Sequence, residues 1–405
     1  MKKRLLTIAA LTFVLTANAQ DNPLWMRYCA ISPDGQTIAF CYKGDIYTVP
    51  ANGGKATQLT TNAAHDTHPI WSPDSKKIAF ASNRQGSMDI YIIDKEGGTP
   101  QRLTTHSANE FPVTFKDAEH ILYLSSLMPD AADMTFPSGQ FPQVYEISTE
   151  GGRPTLFSSL PMEDISFSKD GKSLLYHDRK GYEDAWRKHH TSSITRDIWM
   201  CQLNGNEKTY RKLTSFRGED RTPIWSADGQ SFYYLSESKG SFNVFKRNLD
   251  GSNEKQLTQH TKHPVRFLSA ASNGTLCYGY DGEIYTVKEG EKPHKVEISI
   301  VADKNDKDLI RQVRTSGATE IAVSPSGKEV AFILHGDVFV TSVEYNTTKQ
   351  ITNTPEQERN LSFAPDGRSL AYSSEREGLW QVYQSSLTNK DEQTSSSGMI
   401  LIISL

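Results

Sequence analysis

The sequence lacks the short motifs that mark common catalytic and nucleotide-binding sites. It contains no Gly-x-Ser-x-Gly elbow, no His-Glu-x-x-His pair, no P-loop and no Gly-x-Gly-x-x-Gly turn. Hydroxyl and imidazole side chains are plentiful, but none stands in a recognisable catalytic arrangement. A triad dispersed along the chain leaves no local motif, so this absence does not exclude one. We expect no catalytic residue, no cofactor and no metal site in this chain.

An excess of positive charge and long apolar runs are also missing. The chain has 44 Lys and Arg against 48 Asp and Glu, whereas nucleic-acid binding needs a basic stripe or a stacking platform. The apolar run Leu5–Leu15 is too short for a membrane span, which needs about 20 residues. It follows Lys2, Lys3 and Arg4 and precedes Ala17-Asn-Ala19. This pattern predicts a cleaved secretory signal at residues 1–19. We expect a bacterial periplasmic or secreted protein with no nucleic-acid partner and no membrane association after cleavage.

Cysteine is rare, with only four residues. Their spacing does not resemble a zinc site. In an oxidising compartment four cysteines could form two disulfides. Folding the first hairpin about Ser32–Gly35 places Cys29 opposite Ile38 rather than Cys41, and Cys201 and Cys277 belong to separate repeats. We therefore expect four small buried thiols.

What the chain does contain is one repeated phrase. Its first copy runs through Ile31-Ser-Pro-Asp-Gly35, the apolar Ile38-Ala-Phe40, Asp45-Ile-Tyr47, the Gly53-Gly54 turn and Leu59-Thr60. The second copy begins at Trp71-Ser-Pro-Asp74, and this spacing matches the ~40–45 residues of a four-stranded propeller blade. Alternating apolar and polar residues indicate half-buried antiparallel strands. A four-stranded repeat cannot bury its own face, so neighbouring copies must stack.

Weaker copies continue along the chain. The same turn opens six further repeats, at Phe115-Lys-Asp-Ala118, Phe167-Ser-Lys-Asp-Gly171, Trp225-Ser-Ala-Asp-Gly229, Ser272-Asn-Gly274, Val323-Ser-Pro-Ser-Gly327 and Phe363-Ala-Pro-Asp-Gly367. The pattern predicts an all-β fold: a six-bladed β-propeller of four-stranded antiparallel blades at residues 20–300, then two blades of an incomplete second propeller at residues 317–388. A charged linker at residues 301–316 separates them, and an irregular tail at residues 389–405 follows.

Two details of the local structure follow from the phrase. The Gly-Gly or Asp-Gly pair suits a two-residue hairpin between the Asp-Ile-Tyr strand and a Leu-Thr strand. No spare strand is visible at the N-terminus of the predicted mature chain to complete another blade. The ring is therefore expected to close by side-chain packing alone.

Three polar clusters are candidate sites. His65-Asp66-Thr67-His68 has metal-ligand chemistry but fits a polar loop better. The basic and imidazole cluster Arg187, Lys188, His189 and His190, inside the insertion at residues 179–196, could grip a peptide carboxylate, or could belong to a solvated loop over a blade edge. Polar residues near the starts of inner strands are expected to ring one mouth of the central channel, where mixed charge suits a peptide and equally a hydrated lining: Asp66, His68, Glu110, Asp164, Asp220, Arg221 and His263.

These repeats resemble the WD40-like Pro-Asp propellers of the TolB type. Six such blades, a charged linker at Ala302–Arg314 and a second propeller opening at Ala318–Phe332 resemble the N-terminal part of a tricorn-type serine protease, as does Tyr182–Arg196 before Asp197-Ile-Trp199. The resemblance implies a PDZ domain and a catalytic domain further along the chain of intact relatives. The nucleophile of such proteases lies in those domains, so no catalytic position carries over.

The resemblance therefore implies a propeller that serves as a peptide passage or filter and as an assembly scaffold. Its partners would be peptides or proteins, with homo-oligomers possible in the intact relative. The chain alone is expected to be inactive, and the final Thr394–Leu405 resembles a truncation or frameshift product. The alternative is a self-standing TolB-like periplasmic protein-binding propeller.

Overall fold

The structure is a computed structural model that describes residues 23–127, 141–182, 184, 186–189, 191–205, 207–301, 313–392, 394–396 and 400–404. The predicted signal peptide, His190 and residues 302–312 of the predicted linker lie outside this range. The chain divides into two compact units, Met1–Asn305 and Asp306–Leu405. The described residues form strands and turns, and none of them belongs to a helix. The described part of the chain thus holds no helix long and apolar enough to cross a membrane.

The described residues of the first unit form six sheets, each built on four consecutive antiparallel strands of one repeat, and a fifth strand joins the sheet of the first repeat. Blade 1 consists of β1 (Arg27–Ile31), β2 (Thr37–Tyr42), β3 (Asp45–Pro50) and β4 (Gly54–Gln58). Blade 2 consists of β5 (Asp66–Trp71), β6 (Lys77–Ser82), β7 (Asp89–Asp94) and β8 (Gln101–Arg102). Blade 3 consists of β9 (Glu110–Phe115), β10 (His120–Ser125), β11 (Gln143–Ser148) and β12 (Thr155–Ser158). Blades 4 to 6 are β13 (Met162–Phe167), β14 (Ser173–Asp178), β15 (Ile198–Asn204), β16 (Glu207–Lys212); β17 (Asp220–Trp225), β18 (Ser231–Ser236), β19 (Asn243–Asn248), β20 (Lys255–Gln256); and β21 (Arg266–Ala270), β22 (Leu276–Tyr280), β23 (Glu283–Val287), β24 (His294–Lys295).

The first strands of the six blades form a closed ring. Each of β1, β5, β9, β13 and β17 contacts the first strand of the following blade, and β21 contacts β1. Apolar residues of neighbouring blades pack into shared clusters, such as the one that joins Phe40 and Tyr47 of blade 1 to Cys277 and Ile284 of blade 6. This arrangement confirms the predicted all-β propeller fold.

The ring closes differently from the prediction. Strand β25 (Ile298–Ile300) follows blade 6 and pairs in parallel with Gly54–Ala56 of β4, at the outer edge of blade 1. The N–H of Gly54 also donates to the carbonyl of Glu297 at 2.8 Å. The expectation of closure by side-chain packing alone is therefore wrong, because main-chain hydrogen bonds join the last segment of the ring to its first blade.

The Ser-Pro-Asp-Gly stretch of the first repeat forms the tight turn between β1 and β2. In the first turn, Ser32 Oγ donates to Asp34 Oδ1 at 2.5 Å, and the Asp34 carboxylate accepts the Gln36 N–H at 2.9 Å. Gly35 follows with a φ of 73°, a value that strains residues with a side chain. The side chain of Asp34 and the backbone freedom of Gly35 thus shape the β1–β2 turn.

The Leu-Thr dipeptide does not form a strand, contrary to the prediction. Leu59 and Thr60 follow β4, and the Thr60 hydroxyl accepts the N–H of Ile46 at 2.9 Å. The same contact recurs in other blades, at 2.9 Å from Thr104 to Ile90, Thr214 to Ile198 and Thr258 to Val244. The connection between β3 and β4 is also longer than the predicted two residues, since β3 ends at Pro50 and β4 begins at Gly54. Of the glycine pair, Gly53 lies in this connection and Gly54 is the first residue of β4. The buried threonine hydroxyl thus holds the chain as it leaves blades 1, 2, 4 and 5.

The second unit contains two further four-stranded sheets. Their strands are β26 (Glu320–Val323), β27 (Glu329–Leu334), β28 (Asp337–Ser342), β29 (Thr348–Gln350); and β30 (Glu358–Phe363), β31 (Ser369–Ser374), β32 (Gln381–Leu387), β33 (Ile400–Ser404). The predicted irregular tail at residues 389–405 is not irregular throughout, because β33 pairs antiparallel with β32 and completes the sheet.

Candidate functional site at the inner strands of the first propeller

The first strands of five blades share a distortion at the same position. The pairing of each with its second strand slips around Tyr28, His68, Asp164, Thr222 and Phe267. These residues have φ angles between 50° and 56°. Bulges re-aim side chains, and non-glycine residues at positive φ cost about 1–3 kcal/mol each. The repeated distortion therefore indicates that the ring depends on where these five side chains point.

One side of the ring is aromatic. The Tyr28 ring lies 3.9 Å from the ring of His68 and 4.8 Å from that of Phe267, between centroids. The His68 ring in turn lies 5.1 Å from Phe111 of blade 3. Burial lowers the pKa of His68 to about 4, although the carboxylate of Asp164 partly opposes this effect. The imidazole is therefore neutral at physiological pH and adds to an apolar surface that spans blades 6, 1, 2 and 3.

The opposite side of the ring is polar. The Thr222 hydroxyl of blade 5 donates to Asp164 Oδ2 of blade 4 at 2.6 Å. His177 Nδ1 lies 3.6 Å from the same carboxylate oxygen. The Asp164 side chain is about half exposed, at 48%, so its carboxylate also meets solvent. The inner strands thus surround the ring axis with an aromatic side and a polar, anionic side.

The insertion of blade 4 reaches across to blades 6 and 1. The ring of Trp186 lies between two guanidinium groups, those of Arg27 and Arg266, each 5.0 Å from its centroid. Arg266 Nη2 donates to the Trp186 carbonyl at 2.5 Å. The Trp186 ring also lies 5.9 Å from the ring of Phe267. The insertion therefore does not only cover its own blade edge; it lies against the aromatic side of the ring.

Arg187 ties the same insertion to blade 5. Its guanidinium Nη2 lies 2.7 Å from Glu219 Oε2, and its Nη1 lies 3.1 Å from Glu237 Oε2. Both carboxylates are buried. Burial alone would lower the pKa of Arg187, but the carboxylates of Glu237 and Glu219 outweigh it and raise the pKa. His189 Nδ1 contacts Glu237 Oε2 at 3.0 Å. The Arg187 guanidinium thus forms ion pairs with two buried carboxylates of the propeller, those of Glu219 and Glu237.

These ion pairs belong to a larger buried network at the junction of blades 4 and 5. Arg196 contacts Glu163 at 3.2 Å and Glu219 at 3.2 Å, and Arg221 contacts Glu219 at 3.4 Å. Burial would raise the pKa of Glu163, but His177, Arg196 and Arg179 overcome it and hold the pKa far below its ordinary range. Buried networks of this kind fix geometry, since removal of one member leaves an unpaired charge.

Three predicted channel-mouth residues do not line an opening. Asp66, Glu110 and Asp220 begin β5, β9 and β17, and all three are buried. Each pairs in register with a serine at the end of the second strand of its own blade. Burial raises the pKa of Glu110 to about 7 and that of Asp220 to about 6. This part of the prediction is wrong, because the first residue of an inner strand points into its blade.

The other predicted residues have different locations. His68 and Asp164 lie on opposite sides of the inner ring, as described. Arg221 is buried, with its guanidinium 4.2 Å from the ring of Phe242. His263 lies in the connection before β21, where its Nε2 is 3.3 Å from Asp281 Oδ1. Only His68 and Asp164, of the predicted residues, contribute directly to the ring surface formed by the bulge positions.

The residues of the predicted peptide-carboxylate cluster have different surroundings. Lys188 is exposed and its Nζ lies 3.5 Å from the carbonyl of Lys262. His190 lies outside the described residues. A role of Arg187 in binding a peptide carboxylate stays a prediction, and such a ligand would have to compete with Glu219 and Glu237. In the described part of the chain, no three His, Cys, Asp or Glu side chains form a group that could hold a metal ion.

Sequence reasoning missed Tyr28, Phe111, Thr222 and Phe267, and it treated Trp186 only as part of the insertion. The three bulge residues among them, Tyr28, Thr222 and Phe267, could have been found from the repeats. The bulge residue always lies three positions before the last residue of its inner strand, as Tyr28 precedes Ile31 and His68 precedes Trp71. Aligning the repeats on the turn would have placed these side chains in one column.

The fold and its inner ring define a β-propeller protein of the six-bladed class. Residues 23–293 match the family model described as the tricorn protease N-terminal beta propeller domain. The chain belongs to this family, as the sequence resemblance implied. The match covers the six blades of the first unit up to the turn before β24.

Individual relatives agree with this assignment. "Tricorn protease homolog 1" of Streptomyces coelicolor is 24% identical over 282 residues, which are 69% of this chain and 25% of that protein. "Tricorn protease" of Thermoplasma acidophilum is 22% identical over 333 residues, 79% of this chain and 29% of the relative. A crystal structure of the tricorn protease has a TM-score of 0.60 and 17% identity, and covers 94% of this chain and 35% of that one. The chain thus spans about a quarter of the length of these curated relatives.

Proposed function

We propose that this chain is the propeller portion of a secreted, periplasmic tricorn-like peptidase. In this role the first propeller is a passage or filter for peptides and a surface for assembly, and the peptide bond is cleaved by residues outside this chain. The family membership supports the assignment to a peptidase. The inner ring supports the passage, because its aromatic and anionic sides offer an extended peptide both apolar and polar contacts.

The observation that carries the proposal is the convergence of strained side chains at the ring. Tyr28, His68 and Phe267 have strained, positive φ angles, and their rings come together as one aromatic surface. Strained backbone tends to persist at functional sites, where it positions side chains. Trp186 adds an aromatic ring from the insertion, and 47% of it is exposed. A peptide with apolar or aromatic side chains would find here a surface already ordered before binding.

Peptide binding tests the passage directly. Fluorescently labelled peptides with and without aromatic residues are titrated against the full chain and against Phe267→Ala. Aromatic peptides should bind the wild type more tightly, and Phe267→Ala should reduce this preference. Tyr345→Ala, which removes an aromatic ring that is 69% exposed in the second unit, is the control. Equal binding of both peptide classes, or equal losses in both variants, would argue against the passage.

Two further measurements address the rest of the proposal. Purified chain starting at Gln20 should not hydrolyse short peptides, and cleavage abolished by a serine-directed reagent would contradict this expectation. Export should yield a mature protein whose N-terminal sequence begins near Gln20. Sequencing the DNA downstream of the codon for Leu405 separates the proposal from a self-standing TolB-like protein. A continuing frame that encodes a catalytic domain supports the peptidase.

A further inference from the structure

Two cysteines meet at the seam where the ring of blades closes. Cys29 lies on β1 of blade 1 and Cys277 lies on β22 of blade 6. Both are buried, with 4% and 0% of their surface exposed, and both belong to the apolar cluster between these two blades. They therefore share one small core although nearly the whole propeller separates them in the sequence.

Contacts across the seam join the strands that carry the two thiols. Cys29 Sγ lies 3.6 Å from the carbonyl oxygen of Phe267 on β21. Two residues later the N–H of Ile31 donates to Ser269 Oγ at 3.0 Å. Ser269 is paired with Cys277 in the β21–β22 ladder. The neighbouring Cys277 thiol adds to burial in raising the pKa of the Cys29 thiol, as expected for two thiols packed in one cluster.

The remaining cysteines differ from this pair. Cys41 lies on the opposite face of blade 1, in the cluster shared with blade 2, and its Sγ is 3.9 Å from Thr67 Oγ1. Cys201 is buried in a cluster of blades 3 and 4. All four residues are free thiols in this structure, as the sequence predicted. From the sequence, the possible pairs are Cys29 with Cys41 and Cys201 with Cys277. The fold instead brings together Cys29 of the first blade and Cys277 of the last blade.

We propose that Cys29 and Cys277 are a modification site, at which oxidation to a disulfide staples blade 1 to blade 6. The two S–H bonds are lost and one S–S bond forms between the sulfur atoms. Both electrons and both protons pass to an external disulfide, which is reduced to two thiols. The enclosed loop contains nearly all of the ring, and cross-links that close long loops restrict the unfolded chain most.

The burial of both thiols also determines when, during folding, the disulfide can form. Thiol–disulfide exchange needs a thiolate that an external disulfide can reach. In the closed ring both thiols are shielded from solvent, and burial raises the pKa of Cys29 well above its ordinary value. Exchange is therefore fast only while the seam is open, before β1 docks on blade 6. Once formed in the closed ring, the disulfide is equally shielded from reductants.

Refolding in a redox buffer tests the proposal. The full chain is denatured, reduced, and refolded with an excess of oxidised over reduced glutathione. Free thiols are then alkylated in denaturant, and the chain is digested without reduction for mass spectrometry. We expect two of the four thiols to be protected, a peptide pair joining Cys29 to Cys277, and a higher urea midpoint than for protein refolded under reduction. The double variant Cys41→Ser, Cys201→Ser should give the same peptide pair.

Other results would overturn the proposal. These are four alkylated thiols after oxidative refolding, a disulfide that involves Cys41 or Cys201, or an unchanged urea midpoint in the oxidised protein. Cys29→Ser and Cys277→Ser should each abolish the peptide pair and the gain in midpoint. If either of these variants fails to refold, the double variant still decides, because it retains only the two seam cysteines.

Discussion

The buried carboxyl of Glu110 makes the stability of the propeller depend on pH in a way that a single substitution should reveal. Glu110 begins β9 and has no exposed surface. Burial raises its pKa to about 7, and the negative charge of nearby Asp89 acts in the same direction. Asp89 is also buried but has Arg102 as a partner at 2.9 Å. The positive charge of Arg102 thus lowers the pKa of both carboxyls but does not offset their burial. Glu110 therefore retains its proton at mildly acidic pH.

The size of the effect follows from this pKa. In the unfolded chain Glu110 ionises around its ordinary value of 4.5, and in the folded chain around 7. Between these two values the folded state binds a proton that the unfolded state has lost, so stability falls as the pH rises. Above the folded pKa the loss is complete. The interval corresponds to at most about 3.5 kcal/mol, at about 1.4 kcal/mol for each pH unit.

Glu110→Gln removes this ionisation but keeps the size of the side chain. The variant and the wild type should have similar stability at about pH 4.5, and the variant should be more stable at about pH 8 by up to about 3.5 kcal/mol. Urea unfolding at several pH values measures the difference. Glu119→Gln, an exposed change just before β10, is the control. Parallel pH profiles for Glu110→Gln and the wild type would refute the reasoning, whatever other groups titrate, because those groups are common to both proteins.

Three further changes test other parts of the structure. Gly35→Val should destabilise the protein by about 1–3 kcal/mol, and by more than Gly229→Val. Both glycines have a positive φ, but of the two only a Cβ at Gly35 would meet a neighbour, Asn273 Nδ2, at 2.7 Å. Equal unfolding temperatures for the two variants would contradict this. Arg187→Ala removes a guanidinium partner from the buried carboxylates of Glu219 and Glu237, although Arg196 and His189 still contact them. It should cost up to about 3 kcal/mol and speed proteolysis of residues 179–196, whereas Lys188→Ala should change neither. A chain that ends at Ile300 should stay folded and be more soluble than the full chain. A chain that ends at Val296 lacks β25 and should unfold at a lower temperature, because burial of an Ile such as Ile298 is worth about 2–3 kcal/mol. Equal unfolding temperatures for the two truncated chains would show that β25 is dispensable.

The repeated phrase predicts the blades because each repeat fixes its own register. Phe40 pairs with Tyr47 in blade 1, and Phe80 pairs with Tyr91 in blade 2. The rings of these pairs stack at 5.7 and 5.9 Å. Such contacts are local in sequence, so a pattern of alternating residues is enough to predict them. Strand β25 has only three residues and a partner at the other end of the propeller, and no local pattern indicates that pairing.

The candidate site was less predictable than the fold. Asp66 and His68 are separated by one residue, yet Asp66 is buried in its own blade and His68 contacts Tyr28 of the neighbouring blade. The bulge at His68 decides this difference, and a bulge leaves no mark in a single strand beyond its place in the repeat. Trp186 was recognised only as part of a polar insertion. Its position against Arg27 and Arg266 depends on the path of a long loop, which residue types do not determine.

Burial of a blade face depends on the neighbouring blade and not on the residues of the face itself. Phe40 and Phe332 occupy the same place in their repeats, and each stacks on the aromatic residue of the next strand, at 5.7 and 5.5 Å. Phe40 is fully buried because blade 6 covers it. Phe332 is only half-buried, and Ile321 and Val323 on the same face are 67% and 62% exposed. Within the described residues of the second unit, no sheet covers this face. Because the sequence of that face matches the covered one, its physical requirement is the same: a further sheet packed against β26–β28.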